Sequence, residues 1–336
     1  MAGITVSKAI AKWFNGKEMA FAMGAEMAIA RIGVFAIFSI SPRLADWMGK
    51  DDPTVVVPVA FCTALLCIGL ICFIIFTFID RAFDKQLDAA KLPDAPAEEE
   101  FKLSDVKNIF SSKLFWIVAM LCVLYYSAIF PFQRYAANML QCNLGIDATT
   151  ASDIFRWFPI GAAALTPLLG IYLDVKGKGA TMLIVGAVLM IMCHCTFALL
   201  LPAFPSKALA FSAIIVLGIS FSLVPAALWP SVPKIMDERF LGSAYSLIFW
   251  VQNIGLCLFP ILIGKVLTAS NPGVDNPMEY NYTNPMLLFA SLGVLALFFG
   301  IWLKVLDSKK HYGLEKPNIV SNTEEKVFES EGETFE

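Results

Sequence analysis

Charged residues are scarce in this sequence. Asp, Glu, Lys and Arg make up 16% of the 336 residues, whereas a soluble domain carries about 25%. Mean hydropathy is +0.69, above the value near or below zero of a soluble domain. The sequence contains no Walker loop, dinucleotide fingerprint, HExxH motif or Ser-His-Asp pattern. It therefore gives no support for a soluble, nucleotide-driven or zinc-dependent enzyme.

Long apolar stretches are abundant instead. A helix needs about 20 apolar residues to cross the ~30 Å hydrocarbon layer of a bilayer. Eight stretches are long enough: Met19 to Ile40, Thr54 to Ile79, Phe115 to Ala136, Ile154 to Leu173, Thr181 to Pro202, Leu209 to Trp229, Leu241 to Leu267 and Met286 to Leu306. We therefore predict an all-α, polytopic membrane protein with eight full spans.

An internal alignment indicates a repeated architecture. It pairs residues 32–33, Ile-Gly, with the Ile-Gly at residues 254–255 and places Arg31 opposite Asn253. The first full span then corresponds to the seventh, and residues 115–306 form one complete half of six spans. We expect a twofold-repeated fold of twelve spans in which about three and a half helices are missing from the front.

The predicted domain organisation has four parts. Residues 1–80 form an incomplete N-terminal half, made of two spans and a short apolar stub, Ala2 to Phe14. Residues 81–113 form a cytoplasmic linker and residues 114–306 the complete C-terminal half. Residues 307–336 form a cytoplasmic acidic tail. From His311 onward the tail is acidic and poor in apolar residues, a composition that favours disorder.

The positive charges predict the orientation of the spans. Positive residues favour the cytoplasmic side when they lie in short loops near span ends. One set of connections is much richer in lysine and arginine than the alternate set: Lys12, Lys17, Arg81, Lys85, Lys91, Lys102, Lys107, Lys113, Lys176, Lys178, Lys234, Arg239, Lys304, Lys309 and Lys310. We therefore expect both termini to be cytoplasmic.

The eight cysteines do not suggest a disulfide framework, because seven lie inside spans and only Cys142 falls in an outer loop. Cys193, His194 and Cys195 are adjacent, so on a helix their side chains point about 100° apart and do not converge on one ion. Packing explains this triplet better than a metal site. We expect neither a metal nor any other cofactor.

The fourth span ends in a recognisable pattern. It reads Gly170-Ile-Tyr-Leu-Asp174-Val-Lys-Gly177-Lys178, and it resembles the loop signature of the major facilitator superfamily. Gly170 permits close helix approach, Gly177 permits a tight turn, and Asp174 can meet the positive end of a neighbouring helix near residues 17–19. The resemblance implies a gating contact with the opposite half. A basic inner loop that merely satisfies the charge rule is the alternative.

Further segments resemble the lysosomal dipeptide transporters of this superfamily: Lys12 to Glu18, Ala22 to Gly24, Ala30 to Gly33, Tyr125 to Phe132, Ala227 to Pro230, Leu241 to Tyr245 and Gln252 to Gly255. The resemblance implies a major facilitator fold of twelve spans and a lysosomal membrane location in animal relatives. For this chain a plasma or bacterial inner membrane is favoured. It also implies transport of a small solute, such as a dipeptide or related organic anion, by alternating access.

The missing front helices leave an alternative function open. A non-transporting membrane scaffold, a regulatory subunit or a fragment of a longer transporter would also fit, with an accessory membrane subunit as a partner. An intramembrane enzyme is disfavoured, since no nucleophile and base occur at matching depth. The expected partners are a small-molecule substrate and the lipid bilayer, and no nucleic acid.

Arg31 is the main candidate for substrate binding. A charge at mid-bilayer costs about 2.5–3.5 kcal/mol on insertion scales, so it normally faces a cavity or a partner. Arginine grips a carboxylate through two parallel hydrogen bonds. Glu26, five residues earlier and about 140° round the helix, could accept a substrate amine or a proton. Structural ion pairing or snorkelling is the alternative for Arg31, and pairing with a missing helix is the alternative for Glu26.

Other polar residues inside the spans complete the predicted cavity. Gln133 and Arg134 follow a proline-containing stretch, and Gln252 and Asn253 form the matching polar pair of the seventh span. Trp229 lies between two prolines, which suggests a broken or bent helix whose indole closes over a ligand. Snorkelling for Arg134, and ordinary interhelical hydrogen bonding for the others, are the alternatives.

Overall fold

The computed structural model describes residues 19–48, 55–90, 109–236 and 241–317. The predicted stub, most of the linker and the tail beyond Pro317 lie outside these residues. The α-helices are α1 (Met19–Ala45), α2 (Val56–Ala90), α3 (Lys113–Leu144), α4 (Ala148–Phe155), α5 (Trp157–Lys176), α6 (Gly179–Cys195), α7 (Lys207–Ile235), α8 (Leu241–Ser270) and α9 (Thr283–Lys310). A π turn, Thr196–Leu200, and a short α turn, Leu201–Ala203, extend α6. No strand occurs in these ranges, which confirms the all-α prediction.

Seven segments are long and apolar enough to cross a membrane: Val56–Phe83, Lys113–Leu144, Ala148–Leu173, Gly179–Ala203, Lys207–Val232, Gly242–Ser270 and Thr283–Lys310. The remaining predicted span, Met19 to Ile40, lies within α1, which has 27 residues and is therefore about 40 Å long. The chain is a multi-pass membrane protein. The seven segments have 25–32 residues, whereas the hydrocarbon layer covers only about 20 residues of a helix. Their ends therefore extend beyond the hydrocarbon layer.

The centre of the bundle is α3. Most of its side chains are buried, including Phe115, Tyr125 and Phe132. It packs against α7, α8 and α9, while α6 fills the space between α7 and α9. The Tyr125 hydroxyl donates a hydrogen bond to the backbone carbonyl of Leu183, which ties α3 to α6. The helices from α3 to α9 therefore form one continuous core.

Helices α3 and α8 approach each other closely at Gly255. A Cβ placed on this glycine would lie 2.6 Å from Cγ1 of Val123 and 3.0 Å from Oγ of Ser127. Both neighbours are buried on α3. The contact explains why glycine occupies this position, since a larger residue would push the two helices apart.

Helix α1 joins the bundle through α4 and α5. The predicted fourth span is interrupted at Arg156, which separates α4 from α5. Near this break Asp153 accepts a hydrogen bond from Arg43 at 3.2 Å and forms an ion pair with Arg156 at 2.9 Å. The rings of Phe38 and Phe155 meet edge to face, with centroids 4.8 Å apart. Polar and aromatic contacts therefore close one end of the α1–α4 interface.

Among the described elements, helix α2 packs mainly against α1. Most of its described side chains are exposed, and most of these are apolar. Between α1 and α2 lies an apolar cavity of about 570 Å³. Small residues such as Ala30 and Gly33 line it on α1, and Phe61 and Leu65 line it on α2.

The chain folds back after α9. Residues 311–317, which we call the strap, run beneath the end of the bundle where Lys176, Lys178 and Lys234 cluster, which we call the lysine-rich end. Leu314 of the strap is only 1% exposed. The expectation of disorder from residue 311 onward is therefore wrong for the strap, because one apolar side chain and specific hydrogen bonds outweigh the polar composition around them.

The contact at Gly255 predicts a stability effect. Gly255→Ala should destabilise the protein by about 1–3 kcal/mol through overpacking, because Val123 is β-branched and cannot rotate away on a helix. Thermal unfolding of the purified protein in detergent measures this. The control is Gly242→Ala on the same helix, where a Cβ meets no atom within 4 Å. If the two variants melt alike, the close approach of α3 and α8 is wrong.

The ion pair between α1 and α4 predicts a small coupling energy. The Arg43 and Asp153 side chains are 53% and 34% exposed, so solvent screening should keep their coupling below about 1 kcal/mol. A double-mutant cycle with Arg43→Gln and Asp153→Asn measures it through unfolding free energies. The coupling should vanish in about 1 M salt, where the Debye length is only ~3 Å. A coupling that salt leaves unchanged would contradict the exposed geometry.

Candidate functional site

Arg31 occupies the middle of α1, 12 positions from Met19 and 14 from Ala45. Its guanidinium carbon lies 4.1 Å from the ring centroid of Phe221, at the midpoint of α7. This is a cation–π contact, in which the ring quadrupole attracts the positive charge. Among the described residues, no carboxylate pairs with Arg31. The contact covers one face of the guanidinium, while its N–H donors lie in the guanidinium plane.

Phe221 belongs to a continuous group of aromatic side chains, which we call the aromatic wall: Tyr126, Phe130, Phe221, Trp229 and Phe249. Tyr126 stacks on Phe130 with centroids 5.5 Å apart, and Phe221 meets both rings edge to face. Trp229 stacks on Phe249 at 4.7 Å. The wall runs from the middle of the bundle toward the lysine-rich end.

The two polar side chains of the wall bond to each other, and Tyr245 bonds to the backbone beside them. The Trp229 indole nitrogen donates to the Tyr126 hydroxyl at 3.1 Å. The Tyr245 hydroxyl donates to the backbone carbonyl of Trp229, also at 3.1 Å. These bonds fix the rings, and they leave the wall with flat apolar faces beside one cation.

The structure corrects the expectation that the helix is broken at Trp229. Helix α7 is continuous from Lys207 to Ile235 and is not broken at Pro225 or Pro230. Each proline removes one backbone donor, but packing against α5 and α6 holds the helix together. Trp229 therefore reaches Tyr126 from an intact helix.

A second cavity, of about 450 Å³, lies toward the opposite end. It contains Gln133 and Arg134 together with apolar residues from three helices: Phe38, Phe130, Pro131, Leu256 and Pro260. Gln133 is half-buried and Arg134 is exposed. Phe130 lines this cavity and also belongs to the aromatic wall, where Tyr126 lies between it and Trp229. Gln133 and Arg134 therefore lie beyond the end of the wall that is opposite Trp229.

Gln252 and Asn253 do not join these groups as a pair. Gln252 is only 5% exposed, and its amide oxygen accepts a hydrogen bond from the Cys122 thiol at 3.2 Å. Asn253 is exposed and donates to the backbone carbonyl of Phe249 at 2.7 Å. Adjacent helical residues point in different directions, and here one faces α3 while the other bonds to its own helix.

The remaining predicted residues lie on α1 and around the α5–α6 turn. Glu26 and Asp174 are helical, but their side chains fall outside the described part of the structure. No described atom lies within 4 Å of a Cβ built on Gly170, so the close approach expected there is not found. Gly177 has φ of +72° and makes the tight turn as expected, and Lys178 follows with φ of +69°.

The side chains of the Cys193-His194-Cys195 triplet diverge. Cys193 donates through its thiol to the carbonyl of Ala213 at 3.0 Å. His194 is fully buried between the rings of Phe132 and Phe289. The described residues contain no group of three or more His, Cys, Asp or Glu side chains placed to hold a metal ion.

Sequence reasoning missed Tyr126 and Phe221, because the many phenylalanines gave no reason to single one out. The available signal was spacing. Tyr126 and Phe130 are four residues apart and so share one face of α3. Phe221 and Trp229 are eight apart, a little over two turns, and share one face of α7. An aromatic face on α3 and another on α7, together with the cation Arg31, indicate a cavity lined by aromatic rings.

Comparisons with known proteins agree with the fold. The family model described as Major Facilitator Superfamily matches residues 1–260 and 135–319. The lysosomal dipeptide transporter MFSD1 of Danio rerio is 31% identical over 307 residues, which cover 90% of this chain and 62% of the relative. The proteins of the same name from Bos taurus and Homo sapiens are 29% and 28% identical, over 76% of this chain and 53% and 54% of the relatives.

The chain thus spans between 53% and 62% of the length of these three relatives. The match includes the helices that carry Arg31 and the aromatic wall, and the family model accounts for nearly the whole chain. With its all-helical, multi-pass structure, the chain belongs to the major facilitator superfamily.

Proposed function

We propose that the protein takes part in moving a small organic solute with a carboxylate group across a membrane. The observation that carries this proposal is Arg31, a half-buried cation at mid-helix that contacts an aromatic face and pairs with no described carboxylate. A charge kept at this depth is costly, which is why such residues usually mark a substrate or ion path. The family and its transporter-named relatives support a transporter rather than an enzyme.

The geometry around Arg31 fits a carboxylate. Phe221 holds the guanidinium by its face and so leaves the edge N–H groups directed elsewhere. Two parallel N–H to oxygen bonds along that edge would bind a carboxylate. The aromatic wall would pack against the rest of the solute, since its own polar atoms already bond to one another. Gln133 and Arg134 would add polar contacts from the second cavity.

A dipeptide or related organic anion is the substrate class that we propose. A terminal carboxylate and an apolar body match a cation beside aromatic faces, and the relatives carry the name of dipeptide transporters. Glu26 would accept the amine, and Trp229 would close over the solute. Gln252 and Asn253 would contribute polar groups from α8, the helix that also carries Phe249.

Alternating access is the proposed mechanism, in which halves rock around a central site. Residues 114–306 would form one half, and the contact among Arg43, Asp153 and Arg156 would hold one end closed against α1. The motif of Gly170, Asp174, Gly177 and Lys178 would act at the lysine-rich end, which we place in the cytoplasm with both termini. A plasma or lysosomal membrane would house the protein.

The first functional prediction concerns the charge of Arg31. Arg31→Lys keeps the charge but loses the planar two-pronged contact, so substrate affinity should fall roughly ten- to a hundredfold, or about 1.5–3 kcal/mol. Arg31→Gln should lose at least as much. Uptake of dipeptides into reconstituted vesicles, at equal protein level, measures the effect.

Arg81→Lys is the matched control, because Arg81 is exposed on α2 and away from the wall. Affinity should be unchanged there. Parental affinity in both Arg31 variants would rule out the carboxylate role. No uptake by any form, with normal membrane insertion, would favour the scaffold or regulatory-subunit alternative.

The second functional prediction concerns the ring beneath Arg31. Phe221→Leu removes the cation–π contact, and substrate affinity should fall roughly three- to thirtyfold, corresponding to about 0.5–2 kcal/mol. Phe211→Leu is the control on the same helix, where the ring packs against Trp157 and lies far from Arg31. Equal effects of the two variants on affinity would show that Phe221 does not position the guanidinium.

A further inference from the structure

The strap bonds directly to the turn between α5 and α6. The backbone N–H of Lys178 donates to the carbonyl of Glu315, and that of Gly179 donates to the carbonyl of Leu314, each at 3.0 Å. Leu314 is buried, and its own N–H donates to the Asp307 carboxylate at 3.1 Å. The strap therefore supplies partners to backbone donors at the start of α6.

The carboxylate of Glu315 extends this contact. It accepts a hydrogen bond from the backbone N–H of Thr181 at 2.7 Å and from the Thr181 hydroxyl at 2.9 and 3.0 Å. Lys304 of α9 donates to the same hydroxyl at 2.7 Å. A negative charge is favourable at this end of α6, where unpaired N–H groups and the helix dipole give a partial positive charge.

The strap also holds the end of α7. The Lys234 ammonium donates to the carbonyls of Gly313 and Lys316, both at 2.9 Å. Lys234 lies five residues after Trp229 on the same helix. One short segment thus connects α9, the α5–α6 turn and the helix that carries part of the aromatic wall.

Gly177 makes room for the strap. A Cβ on this residue would lie 2.4 Å from the carbonyl oxygen of Glu315 and 2.5 Å from the carbonyl carbon of Lys316. These neighbours are backbone atoms, which cannot move aside cheaply. The glycine of the motif therefore serves two needs at once, a turn with positive φ and the docking of the strap.

We propose that the strap is a conformational clamp, which makes the α5–α6 turn and the end of α7 move as one unit with α9. The turn carries Gly177 and Lys178, and α7 carries Phe221 and Trp229. Releasing the strap would loosen the turn without removing any group that contacts Arg31. The clamp itself does not depend on the proposed transport activity, whereas its effect on transport rests on that proposal.

Two truncations of the full chain test the clamp. One ends after Lys310 and removes the strap, and its control ends after Pro317 and keeps the strap. Hydrogen exchange of the Lys178, Gly179 and Thr181 amides should become about tenfold faster or more in the shorter chain, because their acceptors are gone. The same amides should stay protected in the longer chain.

Glu315→Gln is a second variant in case the shorter chain does not fold, since it weakens the bonds to Thr181 at nearly constant shape. It should speed exchange of the Thr181 amide. Unchanged protection of the three amides in the shorter chain would overturn the clamp. If the shorter chain does not fold, unchanged protection of the Thr181 amide in Glu315→Gln would overturn it.

Transport measurements test the coupling to α7. With the strap removed, the maximal uptake rate should fall several-fold while the substrate concentration for half-maximal uptake stays the same, because the hydrogen bonds described for the strap all go to residues outside the wall. An unchanged rate alongside faster exchange would overturn the coupling. Exchange still decides the clamp if the parent protein proves not to transport.

Discussion

The cost of placing charge in hydrocarbon governs this structure. The predicted spans keep very few charged side chains, and the exceptions are informative. Arg31 lies against Phe221, Arg134 borders a cavity, and Arg156 pairs with Asp153. Each of these three charges is therefore either balanced by a contact or directed to open space. The candidate site follows from Arg31, the half-buried cation for which the described residues supply only an aromatic face.

The sequence predicts the helices better than it predicts their contacts. Apolar runs of about 20 residues locate spans because the bilayer thickness is fixed, and the depth of Arg31 could be counted from the start of its run. Phe221 could not be identified, since it lies on a helix far along the chain and resembles many other phenylalanines. Gln252 was recognisable as polar, but its bond to Cys122 depends on the rotation of α8 against α3.

The strap shows why composition misleads at short range. A polar, acidic segment usually remains disordered because it buries too little apolar surface. Here Leu314 and a few bonds to unpaired donors at the start of α6 suffice. Such donors are present at every helix start, so the sequence gives no sign of which one a tail will use. The motif glycine, by contrast, was correctly assigned to a tight turn, because that role depends only on local backbone geometry.

The contact between Gly177 and the strap also limits how this part of the chain can vary in length. The Asp307 carboxylate holds Leu314 on one side. On the other side the backbone N–H of Thr181 holds Glu315. Deleting a single residue between Lys310 and Leu314 would put Glu315 where Leu314 is buried, and inserting one before Gly313 would leave that place to a glycine without a side chain. Related sequences should therefore keep this spacing constant whenever they keep the glycine, and should be free to change it where the glycine is replaced.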